Sequence, residues 1–207
     1  TPKSERLTFM FAGFSMLASM LLAIVTFWTH GTAFQGMIIV GGYASFFDVV
    51  FCIAGLMTLF ASRPYILREN IEHDEFYSLV LFAVAGMSVI AHANNLLITF
   101  IGIEIMSVCF YVLSGYFRTN ERSVESALKY FLLGSFATGF LVFGMSFLYG
   151  ATGSLDYVSI KEHVQTGSLL HPKFLALGTA LLVVGLGFKV ATVPFHQWVP
   201  DVYEGSP

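Results

Sequence analysis

Charged residues are scarce in this sequence. Asp, Glu, Lys and Arg make up 11% of the 207 residues, against roughly 25% in an ordinary soluble domain. Apolar residues make up 56%, and the mean hydropathy is +0.76. The polar surface is too small to cover a particle of this size in water, so the composition excludes a soluble globular domain and makes lipid the main solvent.

Clustered positive charge and paired cysteines are also missing. The net charge is −3, and Lys and Arg form no patch of the kind that holds a nucleic-acid backbone, which excludes nucleic acid as a partner. The two cysteines, Cys52 and Cys109, lie in apolar runs, and no Cys-x-x-Cys or His/Cys metal spacing occurs. We therefore expect no disulfide, no metal and no cofactor in this chain.

Long apolar runs are what the sequence has in abundance. Six of them approach the ~20 residues that a helix needs to cross ~30 Å of hydrocarbon. They lack the period-2 alternation of a membrane barrel, whereas a helix satisfies its own backbone in lipid. The pattern predicts an all-α, polytopic membrane bundle, with a short surface helix within 155–171. The six predicted membrane helices cover 7–29, 43–61, 76–92, 96–117, 123–149 and 174–199.

The distribution of Lys and Arg predicts the orientation of this bundle. Six of them lie in the N-terminal tail and in the loops 62–75 and 118–122, against two, Lys161 and Lys173, on the opposite side. The positive-inside rule places the tail and those two loops in the cytoplasm. Because the chain starts at Thr1 and stops after a charged segment, we also expect a single membrane-embedded domain that is a fragment of a longer multi-pass protein.

Three ionisable residues lie well inside apolar runs: Glu104, Lys129 and Lys189. Each would cost about 2.5–3.5 kcal/mol if it faced lipid at mid-membrane without a partner. Such residues ordinarily face the protein interior, pair with another group and mark an ion or proton path. The sequence therefore predicts a function in ion or proton transfer.

Glu104 belongs to a polar stripe on its predicted helix. It lies ~14 Å into that helix, and Ser107, Tyr111 and Ser114 follow it at spacings of three, four and three. This spacing puts the four polar side chains on one helix face. Either Glu104 transfers protons or ions, or its carboxyl group only hydrogen-bonds across a helix contact.

Lys129 allows two interpretations of the same kind. It lies six residues after Ser123, and Glu125 supplies an i,i+4 partner of the kind common on surfaces. Lys129 is either a proton-transfer residue or a lysine that snorkels to a nearby interface.

Lys189 is followed closely by a proline. Pro194 cannot donate a hydrogen bond to the carbonyl of Val190 and collides with it, so the helix is expected to be kinked or broken just past the lysine. Broken membrane helices occur where they are buried in protein or line a cavity, and they mark binding sites in transporters. The alternative is a purely structural ion pair.

His196 follows Lys189 by seven residues, a spacing that would place both on nearly the same helix face. Histidine changes charge near neutral pH, which suits a proton relay. The alternative is a histidine that only hydrogen-bonds at the membrane interface.

Four sequence blocks resemble the antiporter-like membrane subunits of respiratory complex I, most closely the N type. They are Gly-Ile-Glu at 102–104, Ser-Ala-Leu-Lys-Tyr-Phe at 126–131, Gly-Phe-Lys at 187–189, and Pro-Phe-His-Gln-Trp-Val-Pro-Asp-Val-Tyr-Glu-Gly at 194–205. The resemblance implies a subunit of about fourteen helices with two inverted repeats, of which residues 1–74 would be peripheral helices and 75–207 part of the first repeat. It also implies a bacterial inner-membrane location and other membrane subunits as partners.

The same resemblance assigns roles to residues. The essential glutamate of the family falls on Glu104, its central lysine on Lys189, a further lysine on Lys129 and a relay histidine on His196. It implies proton translocation as a subunit of an NADH:quinone oxidoreductase, in which the redox centres belong to other subunits and quinone is not expected to bind this chain.

These residues suggest a mechanism. When Glu104 and Lys189 are paired, each stabilises the charge of the other. When they separate in a low dielectric, the lysine ammonium more readily releases its proton. Lys129 and His196 would pass protons to and from this pair.

Two other functions remain open. One is a subunit of a multisubunit sodium/proton antiporter, which the Asp-Val-Tyr-Glu-Gly run at 201–205 argues against. The other is a membrane scaffold that transports nothing, in which the buried charges only fix helix packing.

Overall fold

The computed structural model describes residues 2–69 and 75–207, with side chains from residue 6 onward. Within those residues the chain forms eight helices and one two-stranded hairpin. Six of the helices are long and apolar enough to cross a membrane, which confirms the predicted number and the all-α membrane class. The helices are α1 Pro2–Thr26, α2 Gly42–Arg68, α3 Glu75–His92, α4 Leu96–Ser114, α5 Glu121–Thr152, α6 Tyr157–Thr166, α7 Pro172–Lys189 and α8 Val199–Gly205.

The hairpin was not predicted from the sequence. Its strands are β1 Gly31–Ala33 and β2 Ile38–Val40, and Thr32 pairs with Ile39. The turn between them places Phe34 and Gln35 at φ 51° and 57°. Strands of three residues are too short to show a period-2 pattern, so the β-branched run at 38–40 between glycines was the available signal.

Helix α2 is longer than the predicted 43–61. Arg63 and Pro64 indicate a helix end in the sequence, yet the helix continues through the proline to Arg68. Ile66, beyond the proline, is buried in the same apolar cluster as Phe9, and the Arg63 guanidinium lies 4.3 Å from the centre of the Phe9 ring. This packing offsets the hydrogen bond that the proline removes. Part of the predicted loop 62–75 is therefore helix, and residues 70–74 lie outside the described residues.

The chain folds as two compact units. Unit 1 comprises Thr1–Ala93 and Ile101–Leu113. Helices α1, α2 and α3 contact one another around an apolar cluster that includes Met16, Leu59 and Tyr77. Helices α3 and α4 approach closely at a glycine, since a Cβ on Gly86 would lie 2.8 Å from the backbone nitrogen of Met106.

Unit 2 comprises Asn94–Phe100 and Ser114–Pro207. Helices α5 and α7 contact each other along their lengths. They approach closely where Gly144 faces Gly178, because a Cβ on either glycine would lie 2.9–3.0 Å from the carbonyl oxygen of the other. A second apolar cluster, built on Ala137, Phe188, Trp198 and Val202, joins α5 to the segment that follows α7.

The predicted short helix is present as α6. Asp156 caps its start by accepting a hydrogen bond from the Ser159 amide at 3.0 Å, and Gly167 ends it with a φ of 71°. The amide of Leu96 donates to the carbonyl of Leu155 at 2.9 Å, which ties the start of α4 to this region within unit 2. Its place on the membrane surface, and the orientation of the bundle, stay predictions.

Candidate proton-transfer site

Helix α7 ends at Lys189, so the predicted break in the last membrane helix is confirmed. The chain runs without α-helix from Val190 to Trp198 and then forms the short helix α8. A helix that continued past Lys189 would bring the ring of Pro194 against the carbonyl of Val190. Lys189 is therefore the last helical residue before an interruption in a membrane-length helix.

The end of α7 has the hydrogen bonds of a Schellman motif. Ala191 adopts the left-handed conformation with φ 54°. Its amide donates to the carbonyl of Phe188 at 3.1 Å, and the amide of Thr192 donates to the carbonyl of Gly187 at 2.9 Å. The indole Nε1 of Trp198 also donates to the Phe188 carbonyl, at 3.2 Å. The carbonyls of Gly187 and Phe188, which the interruption releases from the helix, are thus satisfied by the segment that follows.

The break changes the expected position of His196. A shared helix face with Lys189 requires a helix that continues through 196, and the chain is not helical there. That expectation is wrong, because the seven-residue spacing has no helical meaning across the break. His196 lies in the connection between α7 and α8 with an exposed side chain.

Lys129 lies between two carboxylates. Its Nζ is 2.8 Å from Oε1 of Glu125, the predicted i,i+4 partner, and 2.7 Å from Oδ2 of Asp201 at the start of α8. The Lys129 side chain is 43% exposed and that of Asp201 50%. Lys129 is thus a half-exposed ammonium held by two acids, one of which belongs to the segment after the break.

These side chains line a polar groove of about 250 Å³. Arg122 and Glu204 lie in the same groove, 3.8 Å apart and both 79% exposed. Helix α8 rests directly on α5 here, because a Cβ on Gly205 would lie 2.7 Å from the carbonyl of Arg122. The groove therefore brings water-accessible charges of both signs next to Lys129.

Aromatic packing holds the segment after the break against α5. The rings of Tyr130 and Trp198 are stacked at 4.6 Å with an angle of 9° between their planes. Trp198 also contacts Phe188 near the end of α7. Tyr130 directly follows Lys129, so this stacking positions the contact between Lys129 and Asp201.

Glu104 lies on the predicted polar stripe of α4. Ser107, Tyr111 and Ser114 are buried, and Glu104 is partly buried. The Tyr111 hydroxyl hydrogen-bonds with Ser107 and lies within electrostatic range of Glu104. Within unit 1, Glu104 therefore belongs with Ser107 and Tyr111 to a set of polar groups in an otherwise apolar helix.

The four predicted site residues do not all belong to one unit. Glu104 lies in unit 1, whereas Lys129, Lys189 and His196 lie in unit 2. Asp201 was not among the predicted site residues, although it is part of the 194–205 block. The sequence signal for Asp201 was its position after the predicted helix break. A segment that follows a break can fold back and bring an acid to a lysine of another helix.

Known proteins share these segments. The family model described as NADH:quinone oxidoreductase/Mrp antiporter, TM, matches residues 93–207. The NADH-quinone oxidoreductase subunit N 1 of Solibacter usitatus (strain Ellin6076) is 44% identical over 185 residues, which cover 89% of this chain and 38% of that protein. The protein of the same name from Chloroherpeton thalassium (strain ATCC 35110 / GB-78) is 44% identical over 205 residues, 99% of this chain and 43% of that protein.

A solved structure shows the same likeness. A chain of the respiratory complex I from Thermus thermophilus with bound aureothin matches with a TM-score of 0.75 and 35% identity, over 100% of this chain and 43% of that one. The chain thus spans about two fifths of the length of the relatives that it matches. The family model covers the helices that carry Lys129 and Lys189 and the break between α7 and α8. This chain belongs to the NADH:quinone oxidoreductase/Mrp antiporter transmembrane family.

Proposed function

We propose that the full-length protein translocates protons across a bacterial inner membrane as one subunit of an NADH:quinone oxidoreductase. Two relatives at 44% identity carry the name NADH-quinone oxidoreductase subunit N 1. In this proposal the partners of the chain are other membrane subunits, which hold the redox centres. Quinone binds elsewhere in the complex.

The position of Lys189 carries this proposal. It is the last residue of α7, is partly buried, and precedes the interruption of a membrane-length helix. The carbonyl end of a helix favours a cation, which lowers the cost of the ammonium at this point. A partly buried lysine at the last residue of a membrane-length helix, directly before a break, supports a function in moving charge rather than in packing alone.

Glu104 and Lys189 form the central pair in this mechanism. While they are paired, the carboxylate and the ammonium keep each other charged. On separation in a low dielectric the ammonium gives its proton to the next acceptor and becomes a neutral amine. Energy supplied by the redox subunits would drive that separation.

Lys129 and His196 would connect this pair to water. Lys129 is held by Glu125 and Asp201 beside a polar groove, where exchange with solvent is possible. His196 is exposed in the segment after Lys189, and imidazole can accept and donate a proton near neutral pH.

Replacement of Lys189 tests the proposal in the assembled complex. We expect K189M to reduce the rate of proton translocation at least about tenfold, since the central proton carrier is removed and a tenfold loss of rate is only about 1.4 kcal/mol in barrier height. The matched control is K173M, which changes an exposed lysine near the start of the same helix. Pumping is measured in liposomes, and assembly of each variant is measured on a native gel.

Intact pumping by an assembled K189M complex would contradict the proposal. The scaffold alternative makes a different prediction for E104Q, because buried charges that only hold helices together would cause loss of assembly without a separate transport defect. An assembled E104Q complex that does not pump supports proton transfer.

A cation/proton antiporter is the second candidate, because the family description covers Mrp antiporters as well. It predicts that transport requires sodium. Proton translocation at an unchanged rate in sodium-free buffer would exclude it, and a strict sodium requirement would exclude the oxidoreductase proposal.

A further inference from the structure

An Asp–His pair lies in unit 1, at the end that carries the hairpin. His92 is the last residue of α3, and Asp48 lies in the second turn of α2. The His92 Nε2 is 2.7 Å from Asp48 Oδ2, and its Nδ1 is 2.6 Å from the carbonyl oxygen of Ile39 in β2. One imidazole thus joins α2, α3 and the hairpin.

The contact with Ile39 determines where one proton lies. A carbonyl oxygen has no hydrogen to donate, so Nδ1 must carry a proton and donate it to Ile39. The ring nitrogen that faces Asp48 is therefore Nε2. Whether Nε2 carries a proton depends on which of the two side chains holds the proton between them.

The contact between Nε2 and Oδ2 also requires a proton. At 2.7 Å the two atoms are at hydrogen-bonding distance, and a charge-assisted bond of this length is common. The proton lies on Nε2, which gives an imidazolium and a carboxylate, or on Oδ2, which gives a neutral imidazole and a carboxylic acid. Both forms contain the same number of protons, so one proton is shared by the pair.

The other carboxylate oxygen of Asp48 is not used in this contact. Oδ1 is buried and has no hydrogen-bond partner within residues 2–69 and 75–207. The side chains of His92 and Asp48 are 22% and 16% exposed. The pair is thus largely enclosed but reaches the surface, and Oδ1 can accept one more hydrogen bond or proton.

Charged groups on the two helices of the pair are distant from it. On α2, Arg63 lies fifteen residues after Asp48, ~22 Å along the helix. On α3, Glu75 lies seventeen residues before His92, ~25 Å away. The thiol of Cys52, one turn after Asp48 and buried, is the nearest titratable group on α2.

The elements packed against α2 and α3 carry three further charged or titratable side chains. Helix α4 carries Glu104, two residues after Gly102, which contacts Ile90 of α3. His30 precedes β1 and has its ring beside Gly42 at the start of α2. On α1, Arg6 lies twenty residues before Thr26, whose hydroxyl hydrogen-bonds with Ser45 near the start of α2. Among the described residues, Asp48 is the carboxylate that lies at hydrogen-bonding distance from His92, so the acid and the base of the pair are matched to each other.

We infer that Asp48 and His92 form a proton-binding site in unit 1, which holds one proton between Nε2 and Oδ2 and exchanges it with water at the hairpin end. On release, the proton passes to a water molecule to give hydronium, and the pair keeps a neutral imidazole beside a carboxylate. Uptake reverses this step. The site uses none of the four residues of the proposed function, so it stands if that proposal fails.

Nitrogen NMR of histidine-labelled full-length subunit in its membrane complex tests this inference. The His92 signals are assigned by their loss in H92N. At pH 7 we expect protons on both ring nitrogens of His92, and in D48N the loss of the Nε2 proton while the Nδ1 proton remains. Raising the pH should remove the Nε2 proton from the wild-type ring and leave Nδ1 unchanged.

His163 provides an internal control. Its Nδ1 is 2.7 Å from the carbonyl of Ser159 in its own helix, without a carboxylate at hydrogen-bonding distance among the described residues. Its spectrum, assigned by H163N, should be the same in wild type and in D48N.

The wild-type spectrum decides the question even if D48N does not assemble. If Nε2 is unprotonated, the inference requires the proton to lie on Asp48. The infrared spectrum must then contain a carboxylic acid band, and this band must disappear in D48N or at high pH. A wild-type His92 with one protonated nitrogen and no such band overturns it, as does an Nε2 proton that stays in place across the whole pH range.

Discussion

Units 1 and 2 pack their helices by the same means but hold their charged side chains differently. In each unit two helices touch at glycines: Gly86 and Gly102 bring α3 to α4, and Gly144 and Gly178 bring α5 to α7. Such contacts let backbones approach closely in a solvent that gives no hydrophobic drive to association.

The charge clusters contrast in burial. Asp48 and His92 in unit 1 have side chains 16% and 22% exposed, whereas Lys129 and Asp201 in unit 2 are 43% and 50% exposed. Among the described residues, each member of the enclosed pair has its one ionic contact with the other, while Lys129 has a second acid in Glu125. Similar helix packing therefore supports both the enclosed Asp48–His92 pair, here called the closed pair, and the half-exposed group of Lys129, Glu125 and Asp201, here called the open cluster. We expect the two to respond differently to loss of one partner.

Disruption of a glycine contact between helices should have the largest effect on stability. G178V places a branched side chain where a Cβ already lies 2.9 Å from backbone atoms of α5, so neither helix can remain in position. We expect a loss of about 3 kcal/mol in the free energy of unfolding of the full-length subunit in detergent. The matched control is G139V on α5, where a Cβ meets nothing within 4 Å. Equal stability of the two variants would contradict close contact between α5 and α7.

Removal of one partner from the closed pair should have the next largest effect. H92A leaves the Asp48 carboxylate and the Ile39 carbonyl without their hydrogen bonds in a largely buried place. We expect a loss of about 2 kcal/mol in unfolding free energy. In H163A, which loses one hydrogen bond within its own helix, the change should stay below about 1 kcal/mol. A similar small change in H92A would mean that the pair is not enclosed.

Removal of one carboxylate from the open cluster should reduce stability less than the loss of His92 does. In D201N, Lys129 keeps its contact with Glu125, and the site is about half exposed. We therefore expect a loss below about 1 kcal/mol, measured by the same unfolding experiment. E204Q removes the contact with Arg122 at 3.8 Å and should leave stability unchanged. A cost for D201N as large as that for H92A would show that exposure does not separate the two clusters.

A substitution at the end of α7 should change the free energy of unfolding least, and it should increase stability. A191G places glycine at the left-handed position with φ 54°, where alanine is strained. We expect a gain of about 0.5–1 kcal/mol. The same substitution at exposed Ala180 inside α7 should lose about 1 kcal/mol. Loss of stability in A191G would argue against the Schellman end of α7.

Local features of the sequence predicted much of the fold. The six membrane helices follow from run length and apolar composition, and the end of α7 follows from Pro194, because both effects act within a few residues. The continuation of α2 through Pro64 was not predictable, since it depends on the packing of Ile66 near Phe9 of another helix.

The candidate site was predictable only in part. Glu104, Lys129 and Lys189 are visible as charges inside apolar runs, and Glu125 as an i,i+4 partner. The contact of Asp201 with Lys129, and the position of His196 outside any helix, needed the structure. A helical spacing has no meaning beyond the end of a helix, and a segment after a break can return to a helix far away in sequence.

The sequence by itself determined the solvent, the membrane helices and the residues that carry charge inside them, because these are properties of composition and local order. Only the tertiary structure decided which of those charges meet. Lys129 contacts Asp201 across 72 positions of sequence, and His92 contacts Asp48 across 44. Such contacts depend on how helices pack and where a helix stops, and no local pattern encodes them.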